Sequence, residues 1–182
     1  MRLLHSHPGT TVRWVVMTAG VGRAAEARAS ASEVLRDVGT AEVELHHFRD
    51  GFLPYSGANV KEAVEALKGF GPDLIFTHQR HDLHQDHRLV SELTWNAFRN
   101  HLIFEYEIPK YDGDLGAPNV FVDLDEDLGR RKVELLMRHF GSQHDKRWFT
   151  EDLFLGLMRL RGMESGSGSR FAEAFFGRKL LF

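Results

Sequence analysis

The chain contains no cysteine. That excludes disulfides, thiolate nucleophiles and cysteine-ligated zinc or iron–sulfur sites, and it fits a reducing cytoplasm. Apolar runs of about 18 residues are also missing, so no transmembrane helix is expected. The N-terminal stretch MRLLHSHPGTTVRW holds no apolar segment of signal-peptide length. Neither sign of charge dominates. The 23 Lys and Arg against 26 Asp and Glu leave a net −3, so nothing draws the chain to nucleic acid or to an anionic membrane. No G-x-G-x-x-G or G-x-x-x-x-G-K-[ST] follows a strand, which argues against a nucleotide-binding Rossmann protein. There is no internal repeat. MESGSGSR (163–170) is the one Gly/Ser cluster and reads as a flexible loop.

What is present suits one domain spanning residues 1–182. Apolar residues make up 42% and charged residues 27%, enough for a hydrophobic core with a charged surface. TVRWVVMT (11–18), AEVELHHF (41–48), DLIFTH (73–78), LIFEYEIPK (102–110) and VFVDL (120–124) read as strands. Helices are expected over 23–38, 59–70, 87–98, 126–140 and about 150–161, the fourth capped by Asp125. Strands alternating with helices predict a Rossmann-like α/β fold. It would have three layers, with a mostly parallel sheet covered by helices on both faces. Ligands in such folds bind at the carboxyl ends of the strands.

One such end carries THQRHDLHQDHRLV (77–90). Four of the 11 histidines, His78, His81, His84 and His87, fall there at a spacing of three, with Asp82 and Asp86 among them. Imidazole is a common zinc ligand, and a catalytic zinc takes three protein ligands plus water. Histidines three apart supply one or two of these from a helical turn, not the whole set. A different metal hydrolase using His81, His84 and His87 with His46 or His47 remains open, as does a polar loop without chemistry.

Taken with its surroundings, the stretch resembles the LmbE/PIG-L family of N-acetylglucosaminyl deacetylases. The resemblance rests on Pro72, Asp73 and Thr77, then His84-Gln85-Asp86-His87 as the H-x-D-H loop. Arg23 and Glu26, HHFRDGFL with Asp50, Lys132, Ser142-Gln143 and RFAEAFF extend it along the chain. It implies a hydrolase that uses Zn2+ or another divalent metal to remove an acetyl group from an amino-sugar substrate. By resemblance, His87 is the metal ligand. His84 faces the reacting carbonyl, and Asp86 orients an imidazole of the cluster. Arg23, Asp50 and Asp82 line the substrate side, Asp82 being alternatively a carboxylate behind the imidazoles or a plain loop residue. A small-molecule substrate, no nucleic acid, no membrane insertion and a cytoplasmic location are expected. Assembly into a homo-oligomer is left open.

The family's A-H-P-D-D or A-H-S-D-D motif, which supplies two metal ligands and the general base, is not found. His7-Pro8 is followed by Gly9 and Thr10. The expectation is a chain lacking the family's first strand and most of its first helix. That leaves an alternative: a catalytically inactive relative that binds sugar or serves no enzymatic role.

Overall fold

The computed structural model describes residues 2–7, 9–36, 38–166 and 168–180. Along these the elements run α1 (Arg2–Ser6), β1 (Thr11–Val16), α2 (Val21–Val34), β2 (Thr40–Leu45), α3 (Gly57–Ala66), β3 (Leu74–His78) and α4 (Gln85–Phe98). Then follow β4 (Leu102–Tyr106), β5 (Val120–Leu124), α5 (Glu126–His139), α6 (Glu151–Ser165) and β6 (Phe171–Gly177). Pro8 of the His-Pro pair, Asp37 in the expected helix 23–38, Ser167 in the Gly/Ser loop and the last two residues lie outside the described residues. Contacts group the chain into two units, Met1–Arg49 with Asp123–Ala172, and Asp50–Val122 with Glu173–Phe182.

In the first unit β1 and β2 pair in parallel, from Thr11↔Thr40 to Val16↔Leu45. The connecting helix α2 buries Ala31, and Leu35 is buried just past its end. α5 begins where Asp125 Oδ1 accepts the Leu128 N–H at 2.7 Å. Glu126 and Asp127 stand in its first turn and Arg138 and His139 in its last, so both ends complement the helix dipole. Gly129 of α5 faces Met158 of α6, where a Cβ would make an ordinary contact at 3.8 Å from the Met158 methyl.

A charge cluster ties α2 to α5. Glu33 accepts from His139 Nε2 at 2.6 Å, from Arg131 at 2.5 Å and from Arg138 at 2.9 Å. Arg36 stands 3.9 Å away, and Glu134 shares both α5 arginines. The His139 bond, followed by the arginines, outweighs desolvation and holds the Glu33 carboxyl below its ordinary 4.5. A lowered carboxyl contributes stability above its ordinary pKa and loses it as pH falls through the lowered value. Urea melts of wild type and Glu33→Gln should therefore differ most near neutral pH and converge in acid. A gap that persists in acid would show that packing, not charge, makes the difference.

In the second unit β3 and β4 are parallel, from Leu74↔Leu102 to His78↔Tyr106. β6 runs antiparallel to β4, pairing Phe104 with Gly177 and Tyr106 with Phe175. The sheet order is β3-β4-β6-β5. FAEAFFG, given no element from sequence, is thus a strand, with Ala172, Ala174 and Phe175 buried. It runs antiparallel to β4, beside the parallel β3–β4 pair. The expected strand 102–110 stops at Tyr106. Pro109 beyond it has no N–H to give a ladder, and Glu107 Oε1 accepts the Gly116 N–H at 3.0 Å, closing a loop instead. α4 packs on β3, with Thr77 Oγ1 and Thr94 Oγ1 3.3 Å apart in the buried contact. No described helix is long and apolar enough to cross a membrane.

Candidate functional site

β3 ends at His78, and α4 begins after His84 at its N-cap position. Residues 79–84 turn between them around Asp82, which is fully buried. Asp82 Oδ2 lies 2.9 Å from His87 Nδ1. Asp82 Oδ1 accepts the His84 N–H at 2.8 Å and lies 3.1 Å from Lys110 Nζ. Burial alone would raise this carboxyl. The bonds from His87, the His84 N–H and Lys110 outweigh it and hold the group well below the usual carboxylate range. An ionised Asp82 can only accept, so Nδ1 of His87 carries the proton in this contact.

Two more imidazoles close on His87. The His78 ring stacks on it with centroids 4.2 Å apart, and the His84 ring lies at 4.4 Å. Burial, helped by His87, pushes His78 down to about 3, so it is neutral at physiological pH. Tyr106 OH lies 3.4 Å from His78 Nε2, and burial followed by the Asp82 charge pushes the phenol up. His78 Nδ1 and His84 Nδ1 are buried with no hydrogen-bond partner among the described residues. His81 is exposed. Three histidines of the run therefore gather and one does not.

Asp86 has a different place from the one expected. Among the described residues it bonds no imidazole. Its Oδ2 accepts the Gly51 N–H at 2.7 Å and its Oδ1 the Leu53 N–H at 3.0 Å. Gln85 Nε2 adds a bond to the Gly51 carbonyl at 3.1 Å. These bonds fasten the 50–53 turn to the first turn of α4. Gly51 sits there at φ 77°, a conformation costly for a side-chain-bearing residue. The carboxylate behind the imidazole belongs to Asp82, whose two oxygens both meet protein partners. Exposed Asp50 adjoins the fastened turn. Arg23 lies in the first turn of α2, in the other unit. Glu26, beside it in the motif, accepts from the Ser142 N–H at 2.9 Å and the Ser142 hydroxyl at 2.6 Å. This joins two motif elements 116 residues apart.

Sequence reasoning passed over Lys110, Asp114, Gln79 and Tyr106. Gln79 Nε2 donates to the Asp114 carbonyl at 2.8 Å, and the Leu83 N–H donates to Asp114 Oδ2 at 2.7 Å. The only sequence signal was charge density in EIPKYDGD (107–114), which no period or motif distinguishes from a solvated loop. As to metal, His87 with its carboxylate-held ring has the chemistry of a ligand. Among the described residues, however, no three His, Asp or Glu side chains converge to hold an ion. Among these residues the ligand set is not complete.

An α/β chain with a histidine–carboxylate cluster at a strand end is thus defined. A family model described as PIG-L, GlcNAc-PI de-N-acetylase, matches residues 3–98, just over half of the chain. The chain belongs to this family. No curated protein matches it in sequence. Among solved structures, N,N'-diacetylchitobiose deacetylase from Pyrococcus horikoshii is similar at 23% identity and TM-score 0.69, over 96% of this chain and 74% of that one. A deacetylase triple mutant of the teicoplanin biosynthetic pathway is similar at 15% identity and TM-score 0.71, over 94% and 87%. GalB, the 4-carboxy-2-hydroxymuconate hydratase of Pseudomonas putida KT2440, is similar at 15% and 0.67, over 98% and 88%. At these identities the likeness shows the fold. A hydratase among the neighbours is a reminder that the fold carries more than one chemistry.

Proposed function

We infer that the protein is a hydrolase that removes an acetyl group from an amino sugar or its conjugate, with a divalent metal such as zinc. The carrying observation is the buried Asp82–His87 contact, with the His84 ring beside it. Family membership supports the same reaction class. When bound, the metal would polarise the acetamide carbonyl and activate water, with His87 among its ligands. The chain's own groups do the rest. Asp82 keeps the His87 proton on Nδ1. His84 faces the carbonyl oxygen, where an imidazole N–H stabilises developing negative charge or delivers a proton to the leaving amine. Asp86 holds the turn bearing Asp50 against α4, setting the wall on which Asp50 meets sugar hydroxyls. The site's location is cytoplasmic in this reading.

The test is acetate release from N-acetylglucosamine, with zinc measured on the same sample. Wild type that binds zinc and releases acetate would support the reading. His84→Ala should lower kcat about 10²- to 10³-fold with zinc retained, and His87→Ala should lose both. One observation favours the second reading, a non-catalytic sugar-binding relative: the incomplete ligand set among the described residues. Wild type that binds N-acetylglucosamine but holds no zinc and releases no acetate would decide for it.

A further inference from the structure

Resting on that reading, we propose that Lys110 and Asp114 are positioning residues for the reaction. They clamp the loop after β4 onto the loop after β3, and so hold Asp82, His84 and His87 in one arrangement.

The contacts run in both directions. Lys110 Nζ sits between two buried carboxylates, 3.1 Å from Asp82 Oδ1 and in direct contact with Asp114 Oδ2, with Asp112 at 3.9 Å. The Lys110 side chain is 8% exposed and that of Asp114 3%. Among the described residues it is the only Lys or Arg within 4.0 Å of either buried carboxylate. Asp114 then grips the histidine loop at two points: its side chain takes the Leu83 N–H, and its carbonyl takes the Gln79 side chain. Asp82 lies between those points and passes the constraint on, to the His84 backbone through Oδ1 and to the His87 ring through Oδ2.

The physical consequence is specific. A carboxylate with no exposure needs a full complement of donors to stay in place. Asp82 has three, and Lys110 is the one that also reaches Asp114. Remove it and Asp82 and Asp114 face each other across the vacated space. Asp82 then has reason to turn, and the His87 ring turns with it. Because the β3–β4 register sets His78 beside Tyr106, the two loops leave the same sheet edge. The clamp therefore acts across a short span that the sheet already holds rigid.

The experiment uses the full chain labelled with 15N-histidine, followed by NMR of the ring nitrogens, beside acetate release from N-acetylglucosamine. Wild type should show His87 as one species with its proton on Nδ1. Lys110→Met should move or split the His87 signals and lower kcat about 10- to 100-fold, with KM little changed. Lys110→Arg, able to bridge both carboxylates, should restore most of both readouts. If Lys110→Met does not fold, Asp114→Asn carries the test, since it keeps the main-chain bond to Gln79. Unaltered His87 signals in folded Lys110→Met or Asp114→Asn would overturn the proposal. Moved signals in a protein that releases no acetate even as wild type would support the clamp and overturn the deacetylase reading.

Discussion

Asp82→Ala is expected to cost about 3–5 kcal/mol, the range for breaking a buried ion pair by removing one partner. Three donors lose their acceptor at once: Lys110 Nζ, the His84 N–H and His87 Nδ1. All three surround a side chain with no exposure, so water cannot replace it without opening the loop. In this chain length each kcal/mol corresponds to roughly 2–4 °C in melting temperature, and the loss should be plain in urea or thermal melts. Asp82→Asn should cost less, because the amide oxygen still accepts, yet it removes the charge that fixes His87. Activity should then fall further than stability does. A melting curve for Asp82→Ala within a degree or two of wild type would show that the cluster adds little to the fold, and would remove the reason for treating Asp82 as its centre.

Gly162→Ala is the second large effect, and it comes from backbone space. A Cβ at Gly162 would lie 2.1 Å from the Arg170 carbonyl oxygen and 2.8 Å from the Phe171 nitrogen. Neither is a flexible side-chain end. Arg170 itself stands at φ 75°, and its carbonyl also accepts from Arg159 Nη1 at 2.8 Å. The segment entering β6 is held, so the methyl must push α6 and that segment apart. Overpacking of this kind costs about 3 kcal/mol, against about 1 kcal/mol gained from alanine's better helix propensity. The sign is the informative part. On propensity alone, Gly→Ala in a helix interior stabilises. A stabilised Gly162→Ala would mean that α6 does not pack on Arg170 as described.

How far the chain was legible varies from element to element. VFVDL was bounded correctly, and LIFEYEIPK was correct in type but four residues too long, since local apolar character continues past the last paired residue. FAEAFFG was not assigned, although it is a strand, because Ala and Glu weaken the β signal. Only the register against β4 reveals it. At the site, the histidine run was visible because four imidazoles at a strand end are rare in a random stretch. Its spacing of three does not follow one helical face, since only His87 lies within α4. His84 is its N-cap, His78 ends β3, and His81 points to solvent.

By itself the sequence determined the α/β class, the family, and the strand end on which the histidines gather. These are local properties: periodicity, turn residues, and a contiguous motif. The tertiary structure decided which carboxylate serves which partner. Asp82 and Asp86 are four residues apart and chemically identical, yet one holds an imidazole and the other a turn 35 residues upstream. It also decided that Lys110 belongs to the cluster, 28 residues beyond Asp82. The reason is parallel pairing. Adjacent parallel strands release their loops at the same sheet edge, so β3 and β4 bring distant residues together by a register that no local pattern encodes.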